Sequence, residues 1–450
     1  MPTESPVRDP HVRLDDAAGL TDLVTAIMSK QDIYPQLRAE WGPIAAVDLI
    51  PGVPAWLAMD WDDVMDILRS PATFTRDVGT PEEPNWPAFF DGRVPPYSGL
   101  AAFCSPRANA YYTDGWHHER LRAAVDHVFA EVDEKALGRY VRQMCDRMLD
   151  RIVKRGTETD LVANYTAFVP ALAVAYMYEF DDEDALKLGD LAKAIFSYTE
   201  AAGPAFDELY DMLYFHIEAR RDAPADQDML TGLMHWQDPV PGRGPGTYPD
   251  HDYRYLDRDE LRDTAQMILS AGFEMAVAYT TTTLEKILSD RGLATWVRRG
   301  RLDIPETLDW VLVRKSPVRF TPPRYVTADV VLGGRLLRKG DAIVTAVAHA
   351  TLDKHTDTFD PYTSVGIDPI WSSTSRASLA FGAGPHRCPA HRFSRIVVEA
   401  AVDRAVNRLP GMQLTVPADD LGTGLSLWAS NADRLPVRYQ HAIDHASSPV

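Results

Sequence analysis

The chain predicts a mainly helical protein with small β-sheets, of the α+β class, and three observations carry that expectation. Helical periodicity dominates from His117 to about Arg221, with breaks near GTETD and AAGPA. The stretch LDRDELRDTAQMILSAGFEMAVAYTTTTLEKILSD reads as one long helix whose middle, Met267 to Tyr279, is apolar almost all round, as in a helix through a protein's centre. Strand-like runs are short and lie toward the two ends of the chain.

Taken in order, PIAAVDLIPGVPAWLAMDWDDVMDILRS gives a short strand, a Pro-Gly turn, a second strand at Ala55 to Met59, and a helix that Asp60 would cap. From Pro71 to Asp114 proline, glycine and aromatic residues crowd together, including Trp86, Phe89, Phe90 and Tyr97. A loop of that length in a compact domain reads as a lid over a binding site. The segment 237–252 reads as a Pro/Gly-rich loop. Asp257 and Glu260 form a D-x-x-E capping box that starts the long helix. A further helix ends near Lys315, because Ser316-Pro317 turns the chain away from helix. Short strands follow in RYVTADVVLGGRLLRKGDAIVTAV, a last long helix begins at Cys388, and strands close the chain at MQLTV and LPVRY. No linker splits this pattern, so residues 1–450 are expected to form one domain after a tail of about 20 residues.

Composition narrows the partners. With 45% hydrophobic and 25% charged residues the chain belongs with ordinary globular proteins. A formal net charge of -19 argues against sequence-independent binding to nucleic acid and against adsorption to anionic membranes, since both need an excess of lysine and arginine. Cys104, Cys145 and Cys388 are too few and too widely spaced for a disulfide framework or a zinc site, which suits a reducing cytoplasm. The N-terminal residues have no basic-then-apolar pattern, and no run approaches 18 apolar residues, so neither an export signal nor a membrane anchor is expected.

The most unusual stretch is FGAGPHRCPA, Phe381 to Ala390, where one cysteine follows two glycines, a proline and a histidine. A free cysteine is most often a small buried hydrophobe. It can also be a nucleophile, but no His/Asp constellation supports a triad here, or a metal ligand. Context favours the ligand. A central helix carrying AGFE, a later helix followed by SPV and PPRY, and FGAGPHRC before a last long helix together resemble the cytochrome P-450 superfamily of haem-thiolate enzymes.

That resemblance spans nearly the whole chain and implies the fold of that superfamily, with haem b (iron protoporphyrin IX) between the central helix and the cysteine-bearing helix. It implies Cys388 as the axial iron ligand, with Phe381 and Gly382 in the cysteine loop and Ala271 and Gly272 of the central helix against the cofactor. Haem iron held by a thiolate is electron-rich, and a thiolate persists only in a positive field. Cys388 at a helix N-cap with Pro389 at the first helical position would supply that field. The propionates require cations, and the resemblance assigns His118 and Arg122 of GWHHERLR, Arg324 of PPRY, and His386.

Three departures stand out. Typical members follow the central acid with a threonine that helps deliver protons; here Glu274 is present but Met275 replaces the alcohol. A buried acid is costly, so Glu274 is read as the proton-handling catalytic residue. The Glu-x-x-Arg pair of typical members falls on Trp310 and Val313 and is lost. Asp309 and Arg314 do not replace it, because five helical residues rotate them about 140° apart. Finally, Pro389-Ala390 stands where Leu-Gly or a similar pair is commoner, a combination that most resembles an atypical actinobacterial branch.

The resemblance implies a monooxygenase or oxidase of secondary metabolism acting on a natural product, with a ferredoxin and its reductase as electron donors. The substrate is read as a small molecule or an aromatic peptide or cyclodipeptide. Loss of the threonine raises two alternatives: oxidative cross-linking through a substrate radical, and a haem-binding regulatory protein without monooxygenase activity.

Overall fold

The computed structural model describes residues 9–96, 98–196, 200–224, 228–240, 254–355 and 377–440. Most of the expected loop at 237–252, part of the N-terminal tail, and Tyr97 therefore lie outside the described residues.

Six short strands build the main sheet: β1 (Thr21–Asp22), β2 (Ile44–Asp48), β3 (Pro54–Ala58), β4 (Phe74–Thr75), β5 (Thr321–Val326) and β6 (Ala342–Thr345), in the order β1-β2-β3-β6-β5-β4. The Pro-Gly turn closes an antiparallel hairpin, Ile44 opposite Ala58 and Asp48 opposite Pro54. β3 then runs parallel to β6, with Trp56 opposite Ile343, which joins the two ends of the chain. Both hairpin strands are almost wholly buried, so the sheet is a core element rather than a surface ribbon. A second sheet contains Gln413–Leu414, Pro436–Arg438 and Glu158–Asp160, so the GTETD break is itself a strand.

The helices that position the cavity are α1 (Trp61–Arg69), α2 (Gly115–Ala130), α3 (Glu134–Arg155), α4 (Val169–Met177), α5 (Ala202–Ala219), α6 (Arg258–Ser289), α7 (Ile304–Arg314) and α8 (His391–Arg408). α6 is the long helix, 32 residues and so about 48 Å at 1.5 Å per residue. It starts at the expected capping box: Asp257 Oδ1 accepts from Glu260 N at 2.8 Å and Glu260 Oε2 from Asp257 N at 3.0 Å. Its later turns contain Thr280–Thr283, a β-branched run that disfavours helix by propensity. Their hydroxyls are all satisfied: Thr280 and Thr283 bond back to the carbonyls of Ala276 and Tyr279, Thr281 meets Thr166, and Thr282 donates to Ser430 O. α7 ends at Arg314, as the Ser-Pro turn requires.

Two local expectations are corrected. Asp60 occupies the N-cap of α1 but makes no cap bond, because its carboxylate pairs with Arg38. The stretch 71–114 is not one loop: besides β4 it holds helical turns at Pro87–Phe90, with proline in the first turn, and at Gly99–Cys104, capped by Ser98 Oγ. The expected break near AAGPA is present, between a helix that ends at Ile195 and α5, with Ala201 at the N-cap of α5 and the proline in its first turn, where it costs no intrahelical bond.

Candidate active site

The chain between Phe381 and α8 doubles back on itself. Cys388 N donates to the Phe381 carbonyl at 2.9 Å and Arg387 N to that of Gly384 at 3.1 Å. Gly382 and Gly384 have φ of 68° and 69°, the left-handed region glycine tolerates without cost. At Gly384 the need is also steric, since a Cβ there would lie 2.3 Å from the Leu68 carbonyl oxygen at the end of α1. The loop is thus wedged against the sheet-side core.

The helix that follows begins at His391, with Ala390 at its N-cap, rather than at Cys388. Pro389 and Ala390 form a turn, a setting that suits proline's fixed φ as well as a first helical position does. Burial pushes the Cys388 thiol up; the Ala390 N–H, which donates to it, and the charges of Arg122 and Arg387 act in the opposite direction. Cys104 and Cys145 do not line the cavity that Cys388 reaches. Burial pushes each thiol up to about 12, outweighing a tyrosine hydrogen bond and nearby arginine charge in both cases, which leaves them as core residues.

Cys388 opens into a cavity of 1380 Å³. The same cavity is lined by Ala271, Gly272, Glu274 and Met275 of α6. Glu274 is 9% exposed on an otherwise apolar stretch, and Met275 occupies the wall at the next position. Phe381 and Gly382 line the cavity from the cysteine side. Aromatic rings form another wall: Phe103 lies 6.1 Å from Phe196 and 5.9 Å from Trp428, and Phe89 and Phe90 pack edge to face at 5.2 Å. Trp86, expected in a lid, instead stacks on Tyr325 at 5.2 Å and is 2% exposed, because its ring is shared with the core behind the cavity.

The cations expected at one edge come together. His118 and Arg122 project from α2 into the cavity wall, and the His118 and His386 rings lie 4.2 Å apart. Arg122 also braces the cysteine loop, donating to the carbonyls of Pro385 (3.1 Å) and Arg387 (2.7 Å) and pairing with Asp126. Arg324, on β5, is 1% exposed and sits behind the wall rather than in it; Nη1 donates to Phe74 O at 3.1 Å and Nε has no partner. His386 differs from a simple anchor. Its Nε2 donates to Asp114 Oδ1 at 2.8 Å, and burial with the charges of Arg324 and Arg76 pushes the ring down to about 3, against the effect of Asp114.

Two members of this cluster were not foreseen. Asp114 accepts from Thr75 Oγ1, Arg76 N and His386, and Arg76 lies in the cavity wall beside Arg324. Both come from segments that read as loop, and only β4–β5 pairing, Thr75 opposite Tyr325, brings them to the site. The residues fit a haem: a thiol lines a cavity walled by a long helix, and the buried Nε atoms of Arg76, in the wall, and of Arg324, behind it, lack partners that carboxylates would supply.

The lost Glu-x-x-Arg pair leaves Trp310 and Val313 buried in α7. The neighbouring Asp309 is paired, but not with Arg314. Its carboxylate takes Arg395 from the second turn of α8, whose guanidinium also reaches the Pro305 carbonyl. An ion pair therefore ties α7 to the helix that follows the cysteine.

No family model matches the chain. It is 25% identical to 2-hydroxy-5-methyl-1-naphthoate 7-hydroxylase of Streptomyces carzinostaticus, over 88% of this chain and 92% of that protein. It is 25% identical to cytochrome P-450 107B1 of Saccharopolyspora erythraea, over 90% and 94%. Among solved structures it superposes on CYP154A1 from Streptomyces coelicolor A3(2) with a TM-score of 0.72 and 26% identity, covering 90% of this chain and 96% of that one. Matched along nearly its whole length by these proteins and sharing their fold, the chain belongs to the cytochrome P-450 superfamily, bacterial type: it is an oxidoreductase whose cofactor is haem.

Proposed function

We propose that the protein is a haem-thiolate monooxygenase that hydroxylates an aromatic natural product, a small molecule or peptide, in secondary metabolism. One oxygen atom of dioxygen enters a C–H bond and the other leaves as water, with two protons and two electrons from a ferredoxin and its reductase. The observation that carries this reading is that Cys388 and Glu274, from two different elements, line one aromatic-lined cavity. Bound there, haem supplies the activation of dioxygen.

The chain's own residues supply the rest. Cys388 holds the iron, and His118, Arg122 and Arg324 hold the propionate edge. Glu274 carries a proton on its carboxyl at the wall of the cavity and releases it inward. Phe103, Phe196 and Trp428 orient a flat substrate by stacking and exclude water from it. In support, no helix among the described residues is long and apolar enough to cross a membrane, and the cytoplasm is the proposed setting. The chain is proposed to act as a single domain.

Met275 favours a second reading. With an apolar thioether where typical members carry an alcohol, oxidation that removes two hydrogens and couples aromatic rings relies less on assisted proton delivery. Mass spectrometry of turnover products separates the two: gain of one oxygen supports hydroxylation, loss of two hydrogens supports coupling. The absorption spectrum of the reduced, carbon-monoxide-treated protein tests the site itself. A thiolate-type Soret shift is expected in the wild type and absent in Cys388→Ala; a wild type reconstituted with haem but lacking any Soret band would overturn the reading.

A further inference from the structure

Arg76 is a buried cation of the cavity wall. It follows β4, is 8% exposed, and lines the cavity. Its guanidinium lies 3.9 Å above the Tyr111 ring, and Nη1 donates to the Pro322 carbonyl at 2.9 Å. Its Nε is buried with no partner, as is Nε of Arg324. A guanidinium has five N–H donors in a fixed fork and stays charged in proteins, so burying it without an acceptor is expensive.

The neighbourhood makes the deficit plain. Burial and then the charge of Arg76 push Arg324 down to about 9, opposed by Asp114. Asp114 is already committed to Thr75 Oγ1, the Arg76 backbone N–H and His386. His386 sits against the same cluster, its ring 4.2 Å from that of His118. Two buried like charges beside one occupied carboxylate call for a further anion in the cavity.

We infer that Arg76 is an additional propionate-binding residue, holding a haem carboxylate alongside Arg324. This rests on the haem-thiolate reading above. The tyrosine face beneath the guanidinium fixes its plane, and the Pro322 carbonyl fixes its reach, so the donor edge is preorganised toward the cavity.

The test uses full-length holoprotein and measures haem transfer to excess apomyoglobin, together with the reduction potential by spectroelectrochemical titration. Arg76→Leu is expected to lose haem on the order of tenfold faster than wild type, the scale of one charge-assisted hydrogen bond. Its potential should become more negative, because a positive charge that favours the reduced iron is gone. Arg76→Lys should recover most of both properties, and Arg76→Gln should fall between Lys and Leu, an order that holds even if the Leu variant does not assemble. Wild-type haem release and potential in Leu and Gln variants would overturn the inference. So would unchanged release with weakened spectral binding of 1-naphthoate, which would make Arg76 a substrate contact. A wild type with no thiolate Soret band overturns the parent reading instead and is seen before any Arg76 variant is compared.

Discussion

Arg120 and Glu260 form a buried two-pronged ion pair: Nη1 donates to Oε1 at 2.9 Å and Nη2 to Oε2 at 2.7 Å, with the arginine side chain fully enclosed. The pair joins the first turns of α2 to the capping box of α6, so two walls of the cavity share one electrostatic joint. Arg120→Met leaves the carboxylate buried with its main partner gone. It should destabilise the protein by about 3–5 kcal/mol in equilibrium urea unfolding.

Acid sensitivity follows from the same joint. Burial pushes the Glu260 carboxyl up, but hydrogen bonds from His117, Arg120 and the Asp257 N–H outweigh it and hold the group at about 2 rather than its ordinary 4.5. A folded-state value below the unfolded one stabilises the fold fully above pH 4.5, and that stabilisation disappears as pH falls toward 2. The difference corresponds to about 3 kcal/mol. Urea unfolding of the wild type should show this slope between those limits, and Glu260→Gln, though less stable at neutral pH, should show a flatter one. An equal slope in both proteins would remove Glu260 from the account.

The Asp309–Arg395 pair is partly solvated, with side chains 15% and 31% exposed, so its worth is smaller than that of the enclosed pair. Asp309→Asn and Arg395→Gln should each cost about 1–3 kcal/mol. The double variant should cost less than the sum, by on the order of 1 kcal/mol, when the four proteins are compared by denaturant unfolding. Strict additivity would mean that the two helices are braced by packing alone.

Proton handling by Glu274 has a kinetic signature. Glu274→Gln should lower product formation by roughly a hundredfold while leaving the carbon-monoxide spectrum intact, the range of one general acid. Met275→Thr returns an alcohol beside the acid. The fraction of consumed NADH recovered as oxygenated product should rise in that variant, and no change there would show that the methionine position plays no part in proton delivery.

Gly384 offers a test of the cysteine loop. Both its φ of 69° and the 2.3 Å approach to the Leu68 carbonyl exclude a side chain. Gly384→Ala should displace the loop and cost about 2 kcal/mol or more, visible as faster haem loss, whereas Gly382→Ala, whose Cβ would meet nothing nearer than 3.8 Å, should be milder.

Much of this architecture was legible because its signals are local. The capping box of α6, the end of α7 before Ser-Pro and the Pro-Gly hairpin are each written within a few neighbouring residues, and the structure has them where expected. The cysteine's helix was misplaced by three residues because proline suits a turn as well as a first helical position. Long-range electrostatics were illegible. Asp309 and Arg395 are 86 positions apart, and Asp114 and His386 are 272. Arg76 looked like a loop arginine, since nothing near it in the chain says that a strand pairing will bury it beside Arg324.

The brace between α7 and α8 bears on how such chains are found. A pattern that asks for an acid and an arginine three residues apart on one helix finds Trp310 and Val313 and counts a loss. In space an acid and an arginine still meet at α7, with the arginine now donated by α8. The acid–arginine brace at α7 is therefore invisible to a pattern of consecutive letters and shows itself only as a charge pair between helices.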